Sequence, residues 1–251
     1  MRRIQNYFAK MAAGRAGAER VDCFLALFDD ADSNPFRNYA IAVDECKSVL
    51  AVRALVDAFA TRNRRPRLEL IPQNAPALVE YLIAEGFQAE GSLPVMICTA
   101  KDLIRQETSD FAISLATTEA QLREAAQVQN AAYGEGPATP ADLARLQRTV
   151  AAGGAVVLAR SLEEGSPAGS GLFPTAYDGV TEIAAIGVLE RFRRRGLAAA
   201  MTTWLTELAF QRGIDLPFLT PGHAAEERIY ARCGYRRCCE VLHISIPAPA
   251  V

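Results

Sequence analysis

Residues 191–200 read Arg-Phe-Arg-Arg-Arg-Gly-Leu-Ala-Ala-Ala, and the segments on either side of them decide the fold. Before them, Val180 to Leu189 (VTEIAAIGVL) has the apolar content of a strand. It follows Asp178-Gly179, a hairpin dipeptide, with Gly169 to Tyr177 as the partner strand. After them, Leu197, Ala200, Met201, Trp204, Leu205, Leu208 and Ala209 recur at intervals of three and four, which predicts a helix with one buried face. A strand that passes through a Gly-containing turn into a helix gathers several unpaired backbone N–H groups at one point. The small residues Gly196 and Ala198 leave room for a ligand to approach that backbone, and Arg193, Arg194 and Arg195 add positive charge. The combination suits a pyrophosphate. The plainer alternative is a solvated basic turn. Neither a Walker loop nor a Rossmann GxGxxG occurs in the sequence, so those two modes of phosphate binding are excluded.

Further out, the chain echoes itself. Residues 67–97 (RLELIPQNAPALVEYLIAEGFQAEGSLPVMI) and 217–246 (PFLTPGHAAEERIYARCGYRRCCEVLHISI) share one pattern. Each has a short apolar strand ending near Pro72 or Pro221, a polar turn, an amphipathic helix stopped at Gly86-Phe87 or Gly234-Tyr235, and a further strand. Two unrelated αβ units are the alternative to two similar domains in tandem. Upstream of the first copy, Arg37 to Asp44 reads as a strand and Val49 to Phe59 as a helix. In the second half, Thr139-Pro140-Ala141-Asp142 places an N-cap, an N1 proline and an N3 acid before Leu143, Leu146 and Val150. A fresh strand is expected at Phe111 to Ala116, after the polar stretch Lys101 to Asp110.

The 251 residues are enough for one large or two modest domains, and 50% apolar with 22% charged residues excludes a disordered chain. A net charge of −2 gives no basic nucleic-acid footprint. No apolar run approaches the ~18–20 residues of a membrane helix. Met1 to Arg20 scatters Arg and Lys without a leader-like apolar segment, so a cytoplasmic protein is expected. The six cysteines (Cys23, Cys46, Cys98, Cys233, Cys238, Cys239) show no CxxC pair and are expected to be reduced. Adjacent Cys238 and Cys239 should point to opposite faces of a strand, and no metal site is expected.

At Arg193-Arg-Arg-Gly196-Leu-Ala198 the sequence resembles the pyrophosphate motif of the GNAT family of acyl-CoA-dependent N-acyltransferases. That motif is Gln or Arg, two free positions, Gly, one free position, then Gly or Ala. Ile229-Tyr230-Ala-Arg-Cys-Gly234-Tyr235 matches the family's later helix motif, and the likeness runs over roughly residues 108–247. The first half resembles a degenerate second copy, with Asp44-Glu45-Cys46-Lys47-Ser48 where the Gly loop should stand. An acidic turn without glycine suits pyrophosphate poorly, so one CoA site is expected. The resemblance implies an α+β (mixed α/β) fold of two GNAT-like domains, each a twisted, mainly antiparallel mixed sheet flanked by helices. Residues 1–106 would be the degenerate domain and 107–251 the catalytic one.

The implied activity is transfer of acetyl from acetyl-CoA to a primary amine by direct attack in a ternary complex, in a monomer (an intramolecular pseudo-dimer) or a homodimer. Arg193, Arg194, Arg195, Gly196, Leu197, Ala198 and Ala199 would hold the pyrophosphate. The backbone of Ile186 and Val188 would pair with the pantetheine arm, with Gly187 where backbone and ligand come close or the strand bulges. Tyr230 would protonate the departing thiolate, or pack on the sheet. Glu182 would be the general base, or an outward strand carboxylate. His223 stands where many members have Asn; it would replace that contact, act as a base, or cap the helix. The loop Tyr133 to Pro137 would wall the acceptor pocket. Two other readings are an acyl-CoA-binding or sensing protein without turnover, and transfer from an acyl carrier or aminoacyl-tRNA.

Overall fold

The amino-terminal residues form an amphipathic helix, α1 (Arg2–Ala13), which buries Ile4, Gln5, Tyr7 and Ala12. The computed structural model describes residues 1–247. After α1 come β1 (Ala18–Val21), β2 (Phe24–Leu27), β3 (Tyr39–Ala42), α2 (Val49–Ala60), β4 (Arg67–Leu70), α3 (Pro76–Ala84) and β5 (Gln88–Ile97). The chain continues through β6 (Phe111–Leu115), α4 (Glu119–Tyr133), α5 (Pro140–Ala151), β7 (Ala155–Ser161), β8 (Pro167–Phe173), β9 (Val180–Glu182) and β10 (Ala184–Val188). It ends with α6 (Leu197–Gln211), β11 (Leu216–Leu219), α7 (Ala224–Arg232) and β12 (Arg236–Ser245). The sheets are mainly antiparallel, with parallel pairs β3–β4 and β9–β11, and helices flank them.

Two compact units result: Met1–Val95 with the described residues from Cys238 onward, and Met96–Arg237. This division differs from a break at 106/107. The last strand accounts for the difference, since β12 lies antiparallel to β4 with Leu242 opposite Leu70 and Ile244 opposite Leu68. Strand propensity does not say which partner a strand takes. In the first unit Leu55, Phe59, Leu68, Leu70, Leu82 and Ile244 share one core, where α2 and α3 cover the sheet. Cys23 and Cys46 are joined by a disulfide with Cα atoms 5.4 Å apart, which corrects the expectation of six reduced thiols. The loop after β3 folds back beside the start of β2, a proximity that no cysteine spacing signals. Cys238 and Cys239 are likewise corrected: their sulfurs lie 3.4 Å apart.

In the second unit β6, β7, β8 and β10 form an antiparallel sheet with β6 and β10 at its edges. The apolar stretch Val180–Leu189 is divided. β9 runs parallel to β11, with Glu182 opposite Phe218, whereas β10 is antiparallel to β8. Ala185, at φ 52°, takes up the bend between them. Capping boxes start α4 at Thr118/Gln121 and α5 at Thr139/Asp142. Helix α6 buries Leu197, Met201 and Leu205. Its seat is shaped by glycine: a Cβ on Gly169 would lie 2.8 Å from Met201 Cε, and one on Gly171 would lie 3.1 Å from Leu205 Cδ1. Each large side chain on that face contributes about 1.5–3 kcal/mol of burial. Among the described residues no helix is long and apolar enough to cross a membrane, and no group of three or more His, Cys, Asp or Glu is placed to hold a metal.

A fragment of residues 107–251 tests the division. It lacks Met96 and Cys98, both buried in the second unit's core, and leaves Leu242 and Ile244 without β4. The expected product is poorly soluble, with a melting transition well below that of the whole chain. A soluble fragment melting at the parental temperature contradicts the division.

Candidate functional site

The site is built where β10 and β11 part. Ile183 still donates its N–H to Phe218 at 2.7 Å, but after it the two strands lead into different sheets. The N–H of Leu189 bonds the carbonyl of Ala168 at 3.0 Å and Gly187 stands opposite Ser170, so Ile186 and Val188 turn their backbone groups away from β8. That open edge is met by side chains. Tyr133 Oη donates to the Ile186 carbonyl at 3.5 Å, and Arg193 Nε donates to the Val188 carbonyl at 3.1 Å. Both side chains belong to exposed residues. A chain with amide groups has donors and acceptors to replace them.

Gly187 stands where β10 is irregular: its register against β8 shifts between Ala184 and Gly187, as a bulge does. It is buried, and a Cβ there would come 2.9 Å from the Cβ of Ala132. Its smallness also lets α4 lie on β10.

At the end of β10 a short turn, Glu190–Phe192, leads into the arginines. Arg194 and Gly196 adopt left-handed backbone, φ 62° and 79°, and Gly196 is the N-cap of α6 without any side-chain cap. The first-turn N–H groups of Leu197, Ala198 and Ala199 therefore have no intrahelical acceptor and point out along the helix axis with its positive dipole end. No heavy atom lies within 4 Å of the position a Gly196 Cβ would take, so the space in front of the turn is open. The three arginines are not equivalent. Arg195 donates to Asp110 at 3.0 and 2.5 Å and stacks on Phe111, while Arg193 reaches Val188 and the Ala132 carbonyl. Arg194 is exposed at the turn itself. These features fit a pyrophosphate.

The titratable groups converge nearby. Glu182 accepts from Thr220 Oγ1 at 2.9 Å, at the point where the strands begin to part. Tyr230 lies half-buried on α7, edge-on to Tyr235 at 6.5 Å. Burial, and then the charge of Glu226, push its hydroxyl well above the ordinary tyrosine value. Tyr133 is raised as well, by burial first and then by Glu226 and Glu135. Both phenols therefore keep their protons at neutral pH. His223 caps α7, its Nδ1 accepting from Glu226 N–H at 3.4 Å, while Glu226 accepts from Gly222 N–H at 2.8 Å. Capping accounts for His223. Tyr133, read only as part of a loop, ends α4 and reaches the strand edge; the cue was its place directly before Gly134, the left-handed helix stop. A cavity of about 460 Å³ elsewhere in the unit, between Arg105–Thr108 and the α6 residues Thr203, Trp204 and Glu207, includes none of these groups and no unpaired helix terminus.

Comparison with known proteins agrees with this geometry. Residues 122–235 match the model of the acetyltransferase (GNAT) family. A GCN5-related N-acetyltransferase from Kribbella flavida is 25% identical, with a TM-score of 0.78, and the match covers 98% of this chain and 95% of that one. A GCN5-related N-acetyltransferase from Sphaerobacter thermophilus is 17% identical (TM-score 0.63, covering 85% and 73%) and shares the fold. So does a tandem GNAT protein from the clavulanic acid biosynthesis pathway, 10% identical (TM-score 0.64, covering 85% and 76%). No curated protein matches the chain in sequence. The stretch that matches the GNAT acetyltransferase family lies within the unit that holds the parted strands and the Gly196 turn.

Proposed function

We propose that the chain is an acyl-CoA-dependent N-acyltransferase that moves acetyl from acetyl-CoA to a primary amine in a ternary complex. The observation that carries this reading is the side-chain-free N-terminus of α6 at Gly196, set directly after the open edge of β10. Leu197, Ala198 and Ala199, with Arg193, Arg194 and Arg195 around them, would hold the pyrophosphate, and Ile186 and Val188 the amide-bearing arm. That arrangement sets the thioester near the parting of the strands, close to Glu182. The amine nitrogen forms the new C–N bond as the C–S bond breaks; the amine loses one proton and the thiolate gains one. Tyr230, neutral over the working range, gives the thiolate its proton. Glu182, or a water chain beside it, takes the ammonium proton. In this reading the first unit is a degenerate copy without a pyrophosphate turn. An acyl-CoA-binding protein without turnover is the second reading, and release of free thiol with a panel of amines separates the two.

Titration calorimetry should give one CoA per chain, and Gly196→Asp should abolish binding. The new carboxylate would face the phosphates, and an L residue at φ 79° is strained. Parental affinity in that variant, or two equivalent sites in the parent, contradicts the assignment.

Tyr230→Phe keeps the ring packing and removes only the hydroxyl. CoA affinity should be unchanged while kcat falls by roughly 10²–10⁴. A neutral phenol is present below its pKa, and this one is raised, so it remains an acid throughout pH 6–9. The rise of kcat with pH in that range should belong to the amine, and Glu182→Gln should slow turnover most at the acidic end. A parental kcat in Tyr230→Phe across the range contradicts the acid role.

A further inference from the structure

The first unit contains its own parting of parallel strands, and something already sits in it. β3 and β4 pair at Ala40 with Leu68 and Ile41 with Glu69. Continued one step, a parallel ladder in this register would bond the N–H of Ile71 to the carbonyl of Ala42. That bond is not made. The carboxamide of Gln5, from α1, is inserted between the two groups: its Nε2 donates to the Ala42 carbonyl at 3.2 Å, and its Oε1 accepts from the Ile71 N–H at 3.0 Å. Gln5 is 8% exposed, and its neighbours Ile4 and Tyr7 on the helix are buried more deeply. Beyond the amide the gap continues as a cavity of about 250 Å³, lined by Arg2, Asn6, Asp44, Glu45 and Asn74 among others. The turn at its far side is held closed: Val43 and Asp44 both donate to the Cys23 carbonyl, at 2.9 and 3.3 Å, and Cys46 is tied to Cys23.

We infer that this gap is an amide-binding site and that α1 occupies it from within, with Gln5 as the internal ligand. A buried N–H and a buried C=O that face each other across too wide a gap require one group that is both donor and acceptor, which is what an amide supplies. Leaving both unmet would carry the desolvation cost of two buried polar groups. The ligand class that fits the site once Gln5 is removed is therefore an extended chain presenting a primary or secondary amide. The inference concerns the first unit and holds whichever acyl donor or acceptor the second one takes.

Chemical rescue of the full chain tests it. Gln5→Ala should lower Tm by roughly 4–8 °C, since two buried hydrogen bonds are lost and the helix contact loosens. Acetamide at 100 mM should recover at least half of that loss in Gln5→Ala and leave the parent's Tm unchanged. Acetate, which cannot donate, should recover none. An unchanged Tm in Gln5→Ala, or equal effects of acetamide and acetate, overturns the inference. If Gln5→Ala does not fold, the parent decides by hydrogen exchange. The Ile71 amide, lying outside any strand, should then be protected as well as the β4 amides, and exchange at the rate of an exposed turn overturns the proposal.

Discussion

Two parallel strands that start side by side and then separate leave backbone donors and acceptors without partners, and both units are organised around that unmet demand. Buried peptide groups must be satisfied. In the second unit the parting begins after Ile183 and is sustained by β10 crossing to the β8 sheet, with the bend stored at Ala185. Its open edge is covered by Tyr133 and Arg193, both of them exposed residues. In the first unit the corresponding groups are covered by Gln5, a buried side chain on a packed helix. The same defect in the ladder is thus met by exposed side chains in one unit and by a buried one in the other.

The second requirement is an unpaired helix terminus, and again the units differ. Gly196 caps α6 in left-handed backbone with open space before it, so the first-turn amides are available. The turn after β3 instead directs Val43 and Asp44 to Cys23, carries Asp44 and Glu45, and pairs Asp44 with Arg20. Charge sign, backbone direction and the disulfide all oppose an anion there. Of the two turns, only the one at Gly196 has the backbone and charge that suit a phosphate.

Much of this was legible in the residues because the relevant signals are local. The run of Arg193–Ala198 after an apolar strand, the periodicity from Leu197 to Ala209, the Thr139 cap and the paired Gly86 and Gly234 helix stops all express short-range physics, and the elements appear where those cues place them. The features that escaped are tertiary. Nothing local marks Ala185 for left-handed backbone; the bend is imposed by its two different strand partners. Gln5 gains its role only when α1 crosses the β3–β4 gap, and Cys46 meets Cys23 only after β3 returns beside β2. The position of β12 depends on strand pairing, which composition does not encode. Gly187 was noticed as small and as a place for a bulge, which β10 has, but its contact with Ala132 shows only in the fold.

The central claim is that the parted strands and the Gly196 turn of the second unit take acyl-CoA while the first unit's gap is filled. Amide-resolved hydrogen exchange with and without saturating CoA reads both halves in one experiment. Added protection should fall on Ile186, Val188 and Gly196–Ala199, with Val43, Asp44 and Ile71 unchanged. Protection appearing at Val43–Ile71, or none at the α6 N-terminus, would contradict the account.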